Sequence, residues 1–180
     1  MDSPEQPTIM IRPRHPDDLP ELTRILAAQQ PQSRYPFRWP MPFPVEQFIA
    51  RTTEEMAWVA TRSDRVVGHV SVTTLEEDEM GRSWSAGTGR AARELGCVSV
   101  LFVDHTLRGS GIGGALMDTA EAWIFDRGDS AVLDVVQRHS NALAVYRHRG
   151  WREIGTARPP WLPDEEPPVI LMAKDAPTAQ

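Results

Sequence analysis

The hydrophobic positions of this chain change period several times, and each change predicts a new element. Residues 8–12 form a short β-branched run ended by Pro13, and Asp17 or Asp18 then opens an amphipathic helix carrying Leu19, Leu22, Ile25 and Leu26. Residues 45–53 read as a short helix that turns Val45, Phe48 and Ile49 inward. Residues 58–61 and 66–74 are alternating or β-rich, and Arg62-Ser63-Asp64-Arg65 between them is a hairpin signature. Residues 98–103 are almost wholly apolar, which suits a central strand with both faces covered. A helix follows in which Leu116, Ala120, Trp123, Ile124 and Arg127 share a face, with Gly128 at the stop. Residues 131–136 predict a second buried strand, Ser140 a cap for a helix over 140–149 ended by Gly150, and residues 151–156 and 169–172 the strands that close the sheet.

Three stretches break this rhythm. Residues 31–44 hold five prolines among Tyr35, Phe37, Trp39 and Phe43, too many for regular structure and too many aromatics for a solvated linker, so they predict an ordered loop that covers something. Residues 76–94 are acidic and glycine-bearing, with no clear periodicity, and residues 158–168 form a loop before the last strand. Residues 1–7 and 173–180 are polar and proline-bearing and are left outside the fold. One domain with a core over about residues 8–173 is expected from 180 residues without internal repeat.

Composition narrows the function classes. The net charge of −6 leaves no broad basic surface for a nucleic-acid backbone, and the one basic cluster, Arg147, His148, Arg149 and Arg152, is small. Cys97 is the single cysteine, so neither an intrachain disulfide nor a cysteine-based zinc site can form, and no metal is expected. The start, Met1-Asp2-Ser3-Pro4-Glu5, lacks the charge pattern of a signal peptide, and no apolar run reaches membrane-spanning length. A cytoplasmic protein without nucleic-acid or membrane partners is the expectation.

The sharpest chemical feature is a buried strand running into Arg108-Gly109-Ser110-Gly111-Ile112-Gly113-Gly114 and then a helix. That arrangement aims unbonded main-chain N–H groups at one point, where an anion belongs. Glycines allow the main chain to approach phosphate oxygens closely, and Arg108 adds a permanently charged planar donor, so a pyrophosphate is the preferred ligand. Gly109-x-Gly111-x-x-Gly114 also fits the dinucleotide-binding fingerprint, but that motif opens a long doubly wound domain and needs an acidic residue at the end of the next strand. Asp134 falls in mid-strand instead.

The run Val100-Leu101-Phe102-Val103-Asp104-His105-Thr106-Leu107-Arg108-Gly109-Ser110-Gly111-Ile112-Gly113 resembles the strand-then-R/Q-x-x-G-x-G/A signature of the GCN5-related N-acetyltransferases (GNAT). Ile11-Arg12-Pro13 with Asp17-Asp18-Leu19-Pro20, Val67-Gly68-His69-Val70, residues 142–146 and Gly150-Trp151 extend the likeness over about residues 9–172. The resemblance implies an α/β fold of mixed α+β type: a central, mostly antiparallel sheet splayed between its fourth and fifth strands and flanked by helices, with acyl-CoA in the gap. It also implies that Leu101, Phe102 and Val103 offer main-chain groups to the pantetheine arm, and that residues 108–114 hold the pyrophosphate of acetyl-CoA, the acyl donor.

Tyr146 matches the tyrosine that protonates the departing thiolate in the family, although a core tyrosine packing the last helix is the plainer reading. Asn141 is similar to the family's pantetheine-binding asparagine but stands two residues late, with His139 at the usual position, so helix capping by Ser140 or Asn141 competes with that role. Ser99 occupies the strand position where many members carry a carboxylate base, and serine alone is too weak. Glu94, the run Glu76-Glu77-Asp78-Glu79 or a water chain past Ser99 are the substitutes. Cys97 lacks a cationic partner and reads as a small buried residue.

The remaining segments, residues 31–44, 76–84 and 158–168, are expected to line an acceptor site, where Tyr35, Phe37, Trp39, Trp84 and Trp161 give apolar surface and Asp164, Glu165 and Glu166 attract an amine. Stiffening of loops or burial of a homodimer contact accounts for the same aromatics, and homodimers are common among proteins of this likeness. The expected activity is transfer of acetyl from acetyl-CoA directly to a primary amine of a small molecule, amino acid or peptide. The alternative is a non-catalytic acyl-CoA-binding regulator on the same fold.

Overall fold

A computed structural model describes residues 7–138 and 140–178. His139, singled out above, lies outside the described residues. Seven strands form one sheet in the order β1-β2-β3-β4-β5-β7-β6. The strands are β1 (Ile9–Pro13), β2 (Glu54–Arg62), β3 (Arg65–Thr73), β4 (Leu95–Val103), β5 (Ser130–Val135), β6 (Arg152–Ala157) and β7 (Val169–Lys174). All neighbours are antiparallel except β4 and β5. A mostly antiparallel sheet is not the doubly wound parallel sheet that a dinucleotide fingerprint would demand.

Five helices flank the sheet: α1 (Leu19–Ser33), α2 (Val45–Ile49), α3 (Glu79–Thr88), α4 (Ile112–Asp126) and α5 (Ser140–His148). α1 and α2 pack Leu22, Ile25, Leu26 and Ile49 on one face, against Val59, Val100 and Phe102. α4 packs Ile112, Leu116, Met117, Ala120 and Ile124 on the other. Gly96 permits that packing, because a Cβ there would stand 2.8 Å from Ile124 Cγ1. Buried Glu121 fixes α4 further, accepting from Trp151 Nε1 at 3.0 Å and from Lys174 Nζ at 2.6 Å.

Several boundaries differ from the sequence reading: β7 runs on to Lys174 with Ala173 buried, although residues 173–180 were expected outside the fold, α2 stops at Ile49, and β2 and β4 start earlier, at Glu54 and Leu95. Residues 76–94, which had no assignable pattern, contain α3, whose Asp78 carboxylate accepts from the Gly81 N–H at 2.8 Å as an N-cap. Pro31 stands inside the last turn of α1, since the chain coils on to Ser33 and the Arg34 N–H still reaches the Gln30 carbonyl at 2.7 Å. A proline removes one donor, and so near a helix end the following turn survives it. The hairpin forms as expected. Its turn residues Ser63 and Asp64 both have positive φ, 49° and 63°, the twist a two-residue hairpin favours.

The feature that positions the site is the brevity of the β4–β5 ladder. Only Leu95, Gly96 and Cys97 pair with Ser130, Ala131 and Val132, and beyond Cys97 the strands diverge. Val100 on the free part of β4 has φ of 51°, a conformation costly for a β-branched side chain, about 1–3 kcal/mol. A buried network holds it. Arg14 forms a bidentate pair with Glu54 at 2.7 and 2.8 Å and directs Nη1 to His69 Nε2 at 3.0 Å, while His69 Nδ1 lies 2.8 Å from the Val100 carbonyl. Because arginine only donates, Nε2 must accept, so the proton sits on Nδ1 and is donated to Val100. The tautomer of one histidine thus secures the bulge.

His69 is fully buried and its pKa is pushed down to about 4 from 6.5, chiefly by burial, with the Arg14 charge adding to the fall and the Val100 bond opposing it. The unfolded chain therefore binds this proton at higher pH than the folded one. Stability is complete above pH 6.5 and is lost as pH falls toward 4. Urea unfolding at pH 7 and pH 4.5 should show about 2 kcal/mol of loss from this group, a loss absent in His69→Asn. An equal pH dependence in both proteins would contradict the network.

Candidate functional site

Where β4 and β5 part, the sheet opens into a cleft of about 1430 Å³. Residues 97–101 of β4 form one wall and residues 133–136, at the end of β5 and just past it, the other, with Asn141, Ala142 and Tyr146 of α5 alongside. The three segments that broke the sequence rhythm also border it: Tyr35 and Phe37 from the proline-rich loop, Glu76 to Trp84 at α3, and Trp161 from the last loop. The Phe37 and Trp161 rings meet at 6.4 Å, joining two of those loops. Trp39, Asp164 and Glu165 do not border the cleft, and Glu166 is buried and paired with Arg138 at 2.8 Å.

A smaller hollow of about 300 Å³ adjoins β4 and is bounded by residues 101–103 and 107–113, together with Gln29, Ser33 and Tyr35. The turn around it is tightly braced. Asp104 accepts from the Thr106 N–H at 3.0 Å, and both the N–H and the hydroxyl of Ser110 return to the Leu107 carbonyl, at 3.3 and 2.5 Å. Ser110 therefore shapes the turn with its polar groups. Gly109 and Gly111 have φ of 76° and 83°, and open space lies where a side chain would stand. Gly111 is the N-cap of α4, so the first N–H groups of a 15-residue helix point into this hollow beside exposed Arg108. Gly114 is turned elsewhere, 3.4 Å from Arg149 Nη1 at its would-be Cβ. A diphosphate fits this cradle because donors, dipole and missing side chains coincide.

Two ionisable groups face the cleft from β5 and α5. Asp134 interrupts an otherwise apolar strand, and it is half-buried and borders the cleft. Burial raises its pKa above the ordinary carboxylate value, with the Arg51 charge opposing. Tyr146 packs on Trp151 with ring centres 6.1 Å apart, and burial pushes its phenol up to about 12. A carboxylate with raised basicity can take a proton at neutral pH, and a phenol that stays neutral can give one.

Other candidates fall into place less directly. Ser99 faces the cleft, with its hydroxyl 3.3 Å from Thr73 Oγ1 and 3.6 Å from Cys97 Sγ. Cys97 is buried and its thiol is pushed up to about 11, far from a nucleophilic thiolate. Glu94 lies at the foot of β4 away from the cleft, where its carboxylate accepts from the Ala91 N–H at 2.9 Å and pairs with Arg90. Asn141 borders the cleft. Sequence reasoning used Asp134 only to reject a dinucleotide site, although a lone acid amid Leu133 and Val135 was itself a signal. Among the described residues no cluster able to hold a metal ion occurs, and no helix is long and apolar enough to cross a membrane.

Comparison with known proteins agrees with this geometry. The family model "Acetyltransferase (GNAT) family" matches residues 20–151. A search of curated sequences found no match. Among solved structures, the ribosomal-protein-S18-alanine N-acetyltransferase from Escherichia coli superposes with a TM-score of 0.67 at 16% identity, over 96% of this chain and 97% of that one. The ribosomal-protein-alanine N-acetyltransferase from Brucella melitensis gives 0.68 at 21% identity, over 93% and 99%. Arabidopsis thaliana NAA60 in complex with acetyl-CoA gives 0.65 at 20% identity, over 93% and 98%. With its splayed sheet, its glycine turn at the head of α4 and the match over most of its length, the chain belongs to the GNAT acetyltransferase family.

Proposed function

We propose that the protein is an acyl-CoA-dependent N-acyltransferase that moves acetyl directly to a primary amine. The observation that carries this reading is the cleft between β4 and β5, which is lined by a basic carboxylate and a neutral phenol and shares Tyr35, Leu101 and Arg108 with the hollow at the glycine turn. The cradle at Gly109, Gly111, Ile112 and Gly113 with Arg108 would hold the diphosphate of acetyl-CoA, and the edge of Leu101, Phe102 and Val103 that β5 leaves unpaired would run beside its pantetheine arm. Bound there, the thioester supplies an activated acyl carbon.

The chain's own residues then divide the proton transfers. Asp134 takes the proton shed by the amine as its nitrogen bonds to the acyl carbon, and the Tyr146 hydroxyl gives a proton to the sulfur as the carbon–sulfur bond breaks. Asp134 replaces both Ser99 and Glu94 as base in this scheme: a serine hydrogen-bonded to Thr73 is too weak, and Glu94 is remote. A free main-chain N–H on the divergent part of β4 would stabilise the oxyanion.

Three variants test the scheme. Gly111→Glu places a carboxylate where phosphate oxygens belong and should abolish CoA binding in calorimetry; unchanged affinity would count against the cradle. Because Asp134 must be ionised, kcat/KM should rise with pH through its elevated pKa and rise again as the acceptor amine loses its own proton, with no fall from Tyr146, which remains protonated to about pH 12. Asp134→Asn should lower kcat about 10²–10⁴-fold and remove the acidic limb of the pH profile, and a profile unaltered in shape would exclude it as base. Tyr146→Phe should lower kcat more than it weakens CoA binding; equal rates would demote the phenol to packing. Should wild-type protein bind acetyl-CoA yet release no thiol with any amine, the non-catalytic regulator would be the better description.

A further inference from the structure

We propose that the acceptor carries a carboxylate as well as its amine, and that Arg51, seconded by Arg38, receives that carboxylate. The inference rests on the N-acyltransfer reading above and adds the chemical class of the acceptor.

The chain holds 25 acidic residues against 19 basic ones, so carboxylates are plentiful. Arg138, which borders the cleft, is paired with Glu166 at 2.8 Å. Arg34, Arg38 and Arg51 border the same cleft, are exposed, and form no ion pair with a described residue. All three come from one wall, the segment from the end of α1 to just past α2. The opposite wall carries Asp134.

Arg51 is the best placed of them. Its Nε donates to the Phe48 carbonyl at 3.2 Å, and its guanidinium lies over the Phe48 ring at 4.6 Å. One face and one nitrogen are thereby fixed, while the edge formed by the two terminal nitrogens donates to no described residue. That edge is the fork that binds a carboxylate through two parallel hydrogen bonds. The charge also acts on the interior, since it opposes the upward pKa shifts of Asp134, Cys97 and Tyr35.

Glu76 and Asp78 also border the cleft, but an acceptor with an amine alone would leave the three unpaired arginines without a counter-charge. An acceptor with a carboxylate neutralises one of them and turns its amine toward Asp134 across the gap. Phe37, Met41, Phe43 and Trp161 line the same opening and suit an apolar body between the two ends.

The experiment uses the full chain with acetyl-CoA and measures thiol release for each L-amino acid against its α-amide, with short peptides bearing an acidic second residue as a third arm. Removing the carboxylate lowers the amine pKa and so supplies more free amine, which favours the amide in the absence of a carboxylate site. We expect at least one carboxylate-bearing acceptor to exceed its amide by about tenfold or more in kcat/KM, and the peptide arm tells a free amino acid from a protein N-terminus. In Arg51→Gln that preference should collapse toward unity through a KM increase of about 10- to 100-fold, with Arg51→Lys retaining part of it. Amides equal to or better than their acids throughout, or a preference that survives Arg51→Gln, would overturn the inference and leave N-acyl transfer standing. If no amine releases thiol, the transfer reading fails instead. Calorimetry of the same pairs on the CoA-loaded protein then decides the site: selective binding of the acids, weakened in Arg51→Gln, supports it, and indifference to the carboxylate overturns it.

Discussion

Arg14, itself gripped by Glu54, fixes the tautomer of His69, and His69 in turn holds the Val100 carbonyl where a valine would not otherwise place it. Much else follows from that constraint. The β4–β5 ladder ends at Cys97, and the left-handed Val100 lies on the diverging part of β4, three residues further on. The donors and acceptors thereby released along β4 are the groups that a bound thioester carrier can use. The strain is stored locally and offset by a buried network of charged and neutral hydrogen bonds.

The opened gap also sets the electrostatics. Removing β5 from contact with β4 leaves Asp134 between low-dielectric walls with solvent on one side only, which raises its basicity, and the same enclosure keeps Tyr146 protonated. In the proposed scheme one geometric fact thus prepares an acid and a base of opposite duties. At the other end of the cleft the requirement is reversed. There the helix start of α4 and Arg108 gather positive potential around two glycines that leave room for phosphate oxygens.

The glycine turn at the head of α4 was legible in the sequence because it depends on local features, a buried strand, glycines at fixed spacing and a following helix. The hairpin and most strands were equally plain from alternation and turn chemistry. The proposed base was not. Asp134 acquires its character from being enclosed in the gap, a property of strand divergence that no local window contains, and Glu94 looked eligible only because its commitment to the Ala91 N–H was invisible. His69 likewise read as one residue of a β-rich run, since its partners Arg14 and Val100 lie 55 and 31 positions away. α3 escaped notice because its helix is short and polar, and its Asp78 cap stood within an acidic run that resembled a solvated loop. The three loops expected to cover an acceptor do converge on the cleft, yet their most telling side chain, Arg51, lies just beyond the proline-rich one.

A crystal structure of the full chain with coenzyme A tests the central claim most directly. The account predicts the diphosphate within hydrogen-bond distance of the main-chain amides at the head of α4, the pantetheine between β4 and β5, and Val100 still bound to His69. A β4–β5 ladder continuing past Cys97, or a carrier bound outside the gap, would contradict it.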